Sequence, residues 1–187
     1  MVGKMKFVLC YLARRQDGKI EILLSRKKWR EGSKNIGVGR YNGYGGIIEA
    51  GETERQAIVR EIKEESGPDN SGVIVSTLPE DMQKIAVTTF RNINPDGTTF
   101  EAEVHDFLCW KWEGKPRESE EKEAPEWHPI GALPFSDMMP SDPYWLLKAL
   151  GGWKLRAYAT LEKNQTVLVD SVGIQYVGEL PEDQEVA

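Results

Sequence analysis

Apolar and polar positions change period along this chain, and the changes mark its elements. Residues 5–13 (MKFVLCYLA) and 20–25 (IEILLS) are short apolar runs, which predicts two strands. Gln16-Asp17-Gly18-Lys19 between them predicts a turn, with glycine where φ > 0 is needed. Three further strands are predicted near 73–78, 84–90 and 99–112, the last two joined by an Asn94-Pro95-Asp96-Gly97 turn. Within the third, Phe100, Ala102 and Val104 alternate with Glu101, Glu103 and His105, the pattern of a half-buried strand. Residues 54–65 predict a helix. Thr53 with Gln56 forms a capping box before it, and Ser66-Gly67-Pro68 ends it. A second helix is expected over Tyr144 to Leu150, with Asp142 as N-cap, Pro143 at its start and Gly151-Gly152 as its stop. Residues 153–160 and 166–170 predict a closing hairpin around Lys163-Asn164. This order predicts one α/β (α+β) domain with a mixed sheet over residues 1–180. Residues 181–187 predict a disordered acidic tail.

Composition narrows the class. The chain has 187 residues, 40% hydrophobic and 29% charged, the balance of a globular protein rather than a disordered one. No apolar run approaches the ~20 residues of a membrane span, so no membrane partner is expected. Phe7 to Ala13 is followed by Arg14 and Arg15 without a small-residue cleavage site, which predicts no signal peptide. Cys10 and Cys109 lie in apolar runs and predict buried free thiols of a cytoplasmic protein. A net charge of −6 argues against a protein that wraps a nucleic-acid polymer. Residues 26–40 run the other way, with Arg26, Lys27, Lys28, Arg30, Lys34 and Arg40 against Glu31 alone. They form either a solvated loop or a phosphate-steering patch, with Lys27 the candidate contact to substrate. Most of the tryptophans 110, 112, 127, 145 and 153 are expected at core or half-buried positions rather than on a stacking surface. His105 and His128 lack metal-ligand spacing and predict ordinary surface or strand residues.

The chemistry concentrates on the first helix. At 100° per residue Glu61, Glu64 and Glu65 share one face, while Ile58, Val59 and Ile62 share the neighbouring one and would dock on the sheet. Clustered glutamates repel, and a hard divalent cation resolves the conflict with carboxylate oxygens, waters and substrate phosphates. A solvated acidic helix is the alternative. Gly43, Gly45 and Gly46, which let backbone pass close to a ligand or metal, favour the cation. Arg60, one turn before Glu64, can hold that carboxylate or bridge to Glu52.

Gly46, five residues, Glu52, seven residues, then Arg60-Glu61-Ile62-x-Glu64-Glu65-x-Gly67 resembles the Nudix box. The box is the signature of hydrolases acting on nucleoside diphosphates linked to another moiety. One position departs: Pro68 stands where the pattern has an aliphatic residue. The resemblance implies a mixed sheet sandwiched between helices, with the box as a loop–helix–loop. It implies that Glu61, Glu64, Glu65 and the Gly45 carbonyl bind Mg²⁺, with Mn²⁺ as substitute, and that Arg60 and Glu52 belong to the catalytic set. Glu121 is the candidate for a further acid from a later loop, with Glu120 close behind, although Glu118-Ser119-Glu120-Glu121 also reads as a solvated run. The implied reaction is attack of a metal-activated water on a pyrophosphate phosphorus of a small-molecule nucleotide, by a monomer or weak homodimer. Hydrolysis of another nucleoside diphosphate derivative, or nucleotide sensing without cleavage, are the alternatives.

Arg40 to Gly46 and Pro134 to Trp145 are similar to the MutT-homologue branch of the family, which sanitises oxidised purine nucleoside triphosphates such as 8-oxo-dGTP. By that resemblance Asn42 and Asp142 hydrogen-bond the purine, a stacking tryptophan falls at Met139, the other acid of a pair falls at Ser141, and a phenylalanine falls near Ile36. Gln83 to Ala86 lack the Pro and Tyr marks of ADP-ribose and dinucleoside polyphosphate hydrolases. With Ser141 and Met139 in place of acid and ring, Asp142 is expected to stand alone, partly exposed and ionised near its reference pKa of about 3.9. Broad, weak purine discrimination would follow.

Overall fold

The computed structural model describes residues 4–31, 35–68, 72, 75–162 and 165–183. The N-terminal strands are β1 (Met5–Gln16) and β2 (Lys19–Arg26), and their turn places Asp17 and Gly18 at φ 50° and 75°. Two positive φ values give the turn a twist that matches the strands it joins. Next come β3 (Tyr41–Asn42) and α1 (Glu54–Glu65), then the hairpin of β4 (Met82–Ile93) and β5 (Thr99–Cys109). The chain continues through β6 (Glu126–Pro129), α2 (Asp142–Leu150), β7 (Leu155–Glu162), β8 (Val167–Leu168) and β9 (Gly173–Tyr176).

The sheet order is β3-β2-β1-β5-β4-β7-β8, with β6 on β2 and β9 on β7. It is mixed: β1 runs parallel to β5, and β4 to β7, while β4 and β5 are antiparallel. Side-chain alternation on β1 feeds two cores. Val8, Cys10 and Leu12 join Ala57, Ile58 and Ile62 of α1; Tyr11 and Ala13 join Trp145, Leu146 and Ala149 of α2. Both cysteines are buried and free.

The capping box forms as its sequence indicates: Gln56 N–H donates to Thr53 Oγ1 (3.3 Å), and Thr53 N–H to Gln56 Oε1 (2.8 Å). Gly67, at φ 63°, ends the helix. The cap contributes about 1 kcal/mol and full burial of each isoleucine roughly 1.5–3 kcal/mol, so packing on the sheet decides where α1 lies.

Three expectations change. No strand forms over 75–78, and residues 73 and 74 lie outside the described set. Ser76 exchanges two backbone bonds with Glu113, and Pro79 then opens a 3₁₀ turn that stops any ladder. The strand expected to reach 112 stops at Cys109. The short strands β3, β6 and β9 arise where no alternation was legible, each too short to show a period. The expected turn at Lys163-Asn164 lies outside the described residues, as do 184–187. Residues 181–183, assigned to a loose tail, contact the fold: Lys84 Nζ donates to the Pro181 carbonyl (2.8 Å), and Asp183 lies 3.6 Å from Arg55 Nε.

The feature that positions the site is the run Gly43–Ile48, which takes the place beside the first half of β1 that β2 leaves open. Tyr44 exchanges both backbone bonds with Cys10 (2.7 and 2.9 Å), and Val8 N–H donates to the Gly46 carbonyl (2.9 Å). A Cβ on Gly43 would lie 2.3 Å from the Cys10 carbonyl oxygen, and one on Gly45 2.1 Å from that of Val8. Both collisions are with backbone in the sheet, which cannot rotate away. Gly43→Ala should therefore cost about 3 kcal/mol in chemical denaturation, the upper end for overpacking. A loss below about 1 kcal/mol would show that this edge yields.

Candidate active site

The helix α1 presents its glutamates to the glycine run, and the three meet different surroundings. Glu65 is 1% exposed; its Oε2 accepts the Gly45 N–H at 2.8 Å and lies 3.5 Å from Lys122 Nζ. Glu61 is also buried and lies against Gly46, where any Cβ would fall 2.3 Å from its Oε1. Glu64 is largely exposed at the rim, its side chain 56% accessible. Arg60 ties the group together. Nε and Nη2 grip the Glu52 carboxylate at 2.8 and 2.9 Å, Nη1 donates to Glu61 (2.7 Å), and Nη2 also donates to the Ile47 carbonyl (3.0 Å). Arg60 lies 3.4 Å from Glu64, and its hydrogen bonds lower the Glu52 carboxyl pKa.

Burial raises the Glu61 carboxyl; Arg60 opposes this, while Glu65 and Glu64 add to it. Negative charge at this face thus exceeds what the protein's own cations offset. Among the described residues no three acidic, histidine or cysteine side chains converge tightly enough to cage an ion as they stand. The donor chemistry still fits a hard divalent cation: carboxylates and a backbone carbonyl, with excess negative charge and no soft ligand.

The stretch 118–123 is fastened to the fold, with Glu118, Glu120 and Glu123 still exposed. Lys28 N–H donates to the Glu121 carbonyl (2.8 Å), Glu123 N–H to that of Arg26 (2.9 Å), and Lys28 Nζ pairs with Glu118 at 2.5 Å. The Glu121 carboxylate pairs with Arg30. Part of the basic run thus serves to hold this acidic stretch. Lys122, 2% exposed, donates from Nζ to the Gly43 carbonyl at 2.7 Å. Burial pushes its ammonium pKa down, Glu65 opposes that, and Lys27 adds to it. Lys122 was not anticipated; its one signal is that it is the single base in a run of acids.

One cavity of about 350 Å³ connects these groups with an apolar pocket. Its lining takes in Gly45, Glu61, Glu64, Glu65, Glu121 and Lys27 together with Asn42, Ile36, Met139 and Asp142. Glu52, Arg60 and Ser141 do not line it: the first two brace the glutamates from outside, and Ser141 is fully buried as the N-cap of α2 without a side-chain cap bond. Trp145, Thr88, Asn92 and Asp106 also line the cavity and were missed. Asp106 had a signal. It continues the inward row Phe100, Ala102, Val104, so it places a charge where the period demands an apolar residue.

Asp142 corrects two expectations. It opens α2 rather than capping it, and its Oδ2 accepts the Met139 N–H at 3.1 Å. It is also 3% exposed, and burial drives its pKa up to about 7 against the pull of that N–H and of Arg40. An aspartate titrating near 3.9 needs solvent that this site excludes. His105 likewise faces inward, its Nδ1 lying 2.9 Å from Glu54, because α1 covers that face of β5.

Residues 4–149 match the NUDIX domain. The chain therefore belongs to the Nudix hydrolase family, whose members generally use divalent metals and act on small-molecule nucleotides. Within the family it is 33% identical over 147 residues to the mouse oxidized purine nucleoside triphosphate hydrolase, covering 79% of this chain and 83% of that one. It is 39% identical over 130 residues to the zebrafish protein of the same name, covering 70% of each. The crystal structure of the mutator MutT protein from Bacillus halodurans shares the fold, with TM-score 0.66 and 20% identity over 91% of this chain and 97% of that one. Among the described residues no helix is long and apolar enough to cross a membrane.

The raised pKa of Asp142 has a consequence for stability. Between about pH 4 and about pH 7 the native state keeps a proton that the unfolded chain releases, so the stabilisation present at low pH is lost as pH rises through this window. Relative to Asp142→Asn, wild-type stability should fall by up to about 1.4 kcal/mol per pH unit there and level off above. Denaturant midpoints of both proteins across that range measure it; parallel curves would place the proton elsewhere.

Proposed function

We propose that this chain is a Mg²⁺-dependent nucleoside triphosphate pyrophosphohydrolase, releasing a nucleoside monophosphate and pyrophosphate, with modified purine nucleotides such as 8-oxo-dGTP as substrates. The observation that carries the reading is the single cavity running from the α1 glutamates to a pocket walled by Asn42, Met139, Asp142 and Trp145. Its acidic part suits a cation and polyphosphate, and its apolar part suits a base. The curated relatives are named for the same substrate class. Two free buried thiols accord with a cytoplasmic setting.

Glu61, Glu64 and Glu65, with the Gly45 carbonyl and Glu121, would hold Mg²⁺, and Mn²⁺ could substitute. The ion supplies Lewis acidity, lowering the pKa of a coordinated water and offsetting charge on the diphosphate. The chain's own residues do the positioning. Arg60 fixes Glu61 and Glu52, the Gly45 N–H and Lys122 fix Glu65, and Lys27 offers a cation at the cavity wall. Burial raises the Glu61 carboxyl, which makes it better suited to taking a proton than a solvated glutamate. Asn42 holds its own Oδ1 toward the Gly43 N–H at 3.0 Å, and we assign its amide nitrogen to the base. A sensing module would not require all three glutamates, two of them buried and braced in this way.

Pyrophosphate release from a panel of normal and modified triphosphates with Mg²⁺ tests the reading. Glu64→Gln should lower kcat by ~100-fold or more with the fold intact, because Glu64 is exposed and removes charge rather than packing. Near-wild-type turnover would sink the metal assignment. Glu65→Gln is less clean, since it also strips Lys122 of its counter-charge.

The base pocket has its own test. Asn42→Ala should cost about 1–3 kcal/mol in kcat/KM for the preferred purine triphosphate and far less for a pyrimidine one. Equal losses on both would mean that Asn42 supports the Gly43 backbone instead.

A further inference from the structure

A buried lysine stands among the acids of the site. Lys122 is 2% exposed and lines the same cavity as Glu61, Glu64 and Glu65. Its Nζ donates to the Gly43 carbonyl at 2.7 Å and lies 3.5 Å from Glu65 Oε2. Both neighbours are acceptors, which suits an ammonium, a group with three donors and no acceptor. Burying such a charge is costly unless it is paired and hydrogen-bonded, so a lysine held here answers negative charge already present. We propose that Lys122 is a tethered cation of the carboxylate site, a positioning residue that takes the place of a second divalent ion and limits the nucleotide-free protein to one. This rests on the metal reading above and adds to it the number of ions.

The charges around Lys122 carry the count. The carboxylates of Glu52, Glu61, Glu64 and Glu65 face two cations, Arg60 and Lys122. The Glu121 carboxylate is matched by Arg30. Two negative charges are left, the complement of one divalent ion. Without Lys122 three would be left, and the site would draw in a second ion. Lys27 also lines the cavity, but it is only half-buried, and solvent screens its charge.

The backbone holds the ammonium in place before any ion arrives. Lys28 N–H donates to the Glu121 carbonyl and Glu123 N–H to that of Arg26, which clamps residue 122 from both sides. Lys122 N–H donates to Ser119 Oγ at 3.1 Å. Lys122 and Lys27 also form an isolated antiparallel bridge. Residues opposed in this way project to one face, where like charges repel. Lys27 accordingly works against the charge on Lys122, while Glu65 and Glu61 favour it. Two lysines set side by side are thus tolerated because the glutamates stand in front of them.

Mn²⁺ alone, titrated into the metal-stripped full chain without nucleotide at one fixed pH, tests this without turnover. Bound and free ion are separated by the paramagnetic resonance of free Mn²⁺, and the affinity is read by calorimetry. Wild type should take up about one Mn²⁺ per chain. Lys122→Met keeps the length of the side chain and removes its charge. It should take up a second ion and bind the first at least about ten-fold more tightly. Lys122→Arg keeps the charge and should keep the wild-type stoichiometry. A lysine that served packing alone would leave the stoichiometry the same in all three proteins. Two ions on wild type, or the wild-type stoichiometry in Lys122→Met, would overturn the tethered cation, while Mn²⁺ binding itself leaves the metal reading standing. No uptake of Mn²⁺ by wild type would overturn both. Should Lys122→Met not fold, Lys122→Gln, which keeps a donor for the Gly43 carbonyl, carries the same expectation. Should neither fold, wild type decides: one ion supports the tethered cation and two overturn it.

Discussion

Burying carboxylates on one helix face is the constraint around which this structure is arranged. Glu61 and Glu65 are nearly sealed from water beside Glu64, an arrangement that is repulsive on its own. Each neighbour answers that repulsion. Arg60 grips Glu61 while anchoring itself on Glu52, and Lys122 is drawn into the interior to face Glu65. The glycine run brings backbone N–H groups where side chains would collide, and the Gly45 N–H reaches Glu65 only because nothing stands between that backbone and β1. The stretch 118–123 is bound to the end of β2, and this places Lys122 and Glu121 at the cavity. What charge remains uncompensated is what a divalent cation would take up.

The scaffold makes such a site affordable by keeping the costs apart. The apolar face of α1 docks through Ala57, Ile58 and Ile62, and the acidic face turns to the glycine run. Helix α2 covers the other face of the sheet and contributes Asp142 and Trp145 to the same cavity. The mixed sheet allows this. Parallel pairing of β1 with β5 sets Phe7 beside Val104 and Leu9 beside Asp106, so wall residues from two strands converge.

Local signals made much of this legible. The capping box, the Gly67 stop, the turns at Asp17-Gly18 and Asn94–Gly97, and the glutamate spacing are all decided within a few residues of chain, and all appear. Features that depend on distant partners were not legible. Burial of Asp142 comes from β1, β4 and β5 closing over it, which no reading of residues 134–145 contains. Lys122 is ordered by Glu65 and Gly43, far away in sequence. The strands β3, β6 and β9 exist because a neighbour offers an edge, not because two to four residues prefer to be extended.

The β5 strand shows how one alternation can serve two purposes. Its odd positions were taken as the wet face, yet His105 sits against Glu54 because α1 covers that side. Its even positions carry the apolar row Ala102, Val104 and Leu108 toward the other side, with Asp106 inside that row. A strand buried on both faces normally reads as continuously apolar, so each polar residue in it marks a place where another demand outweighed packing. For His105 the demand is structural: its ring lies between Glu54 and Glu103, 2.9 and 3.2 Å away. For Asp106 the protein supplies only Thr88, and one oxygen stays without a partner. That acid lies in the same cavity as Asp142 and the α1 glutamates, so the polar exception on this strand falls at the candidate site rather than in the packed core.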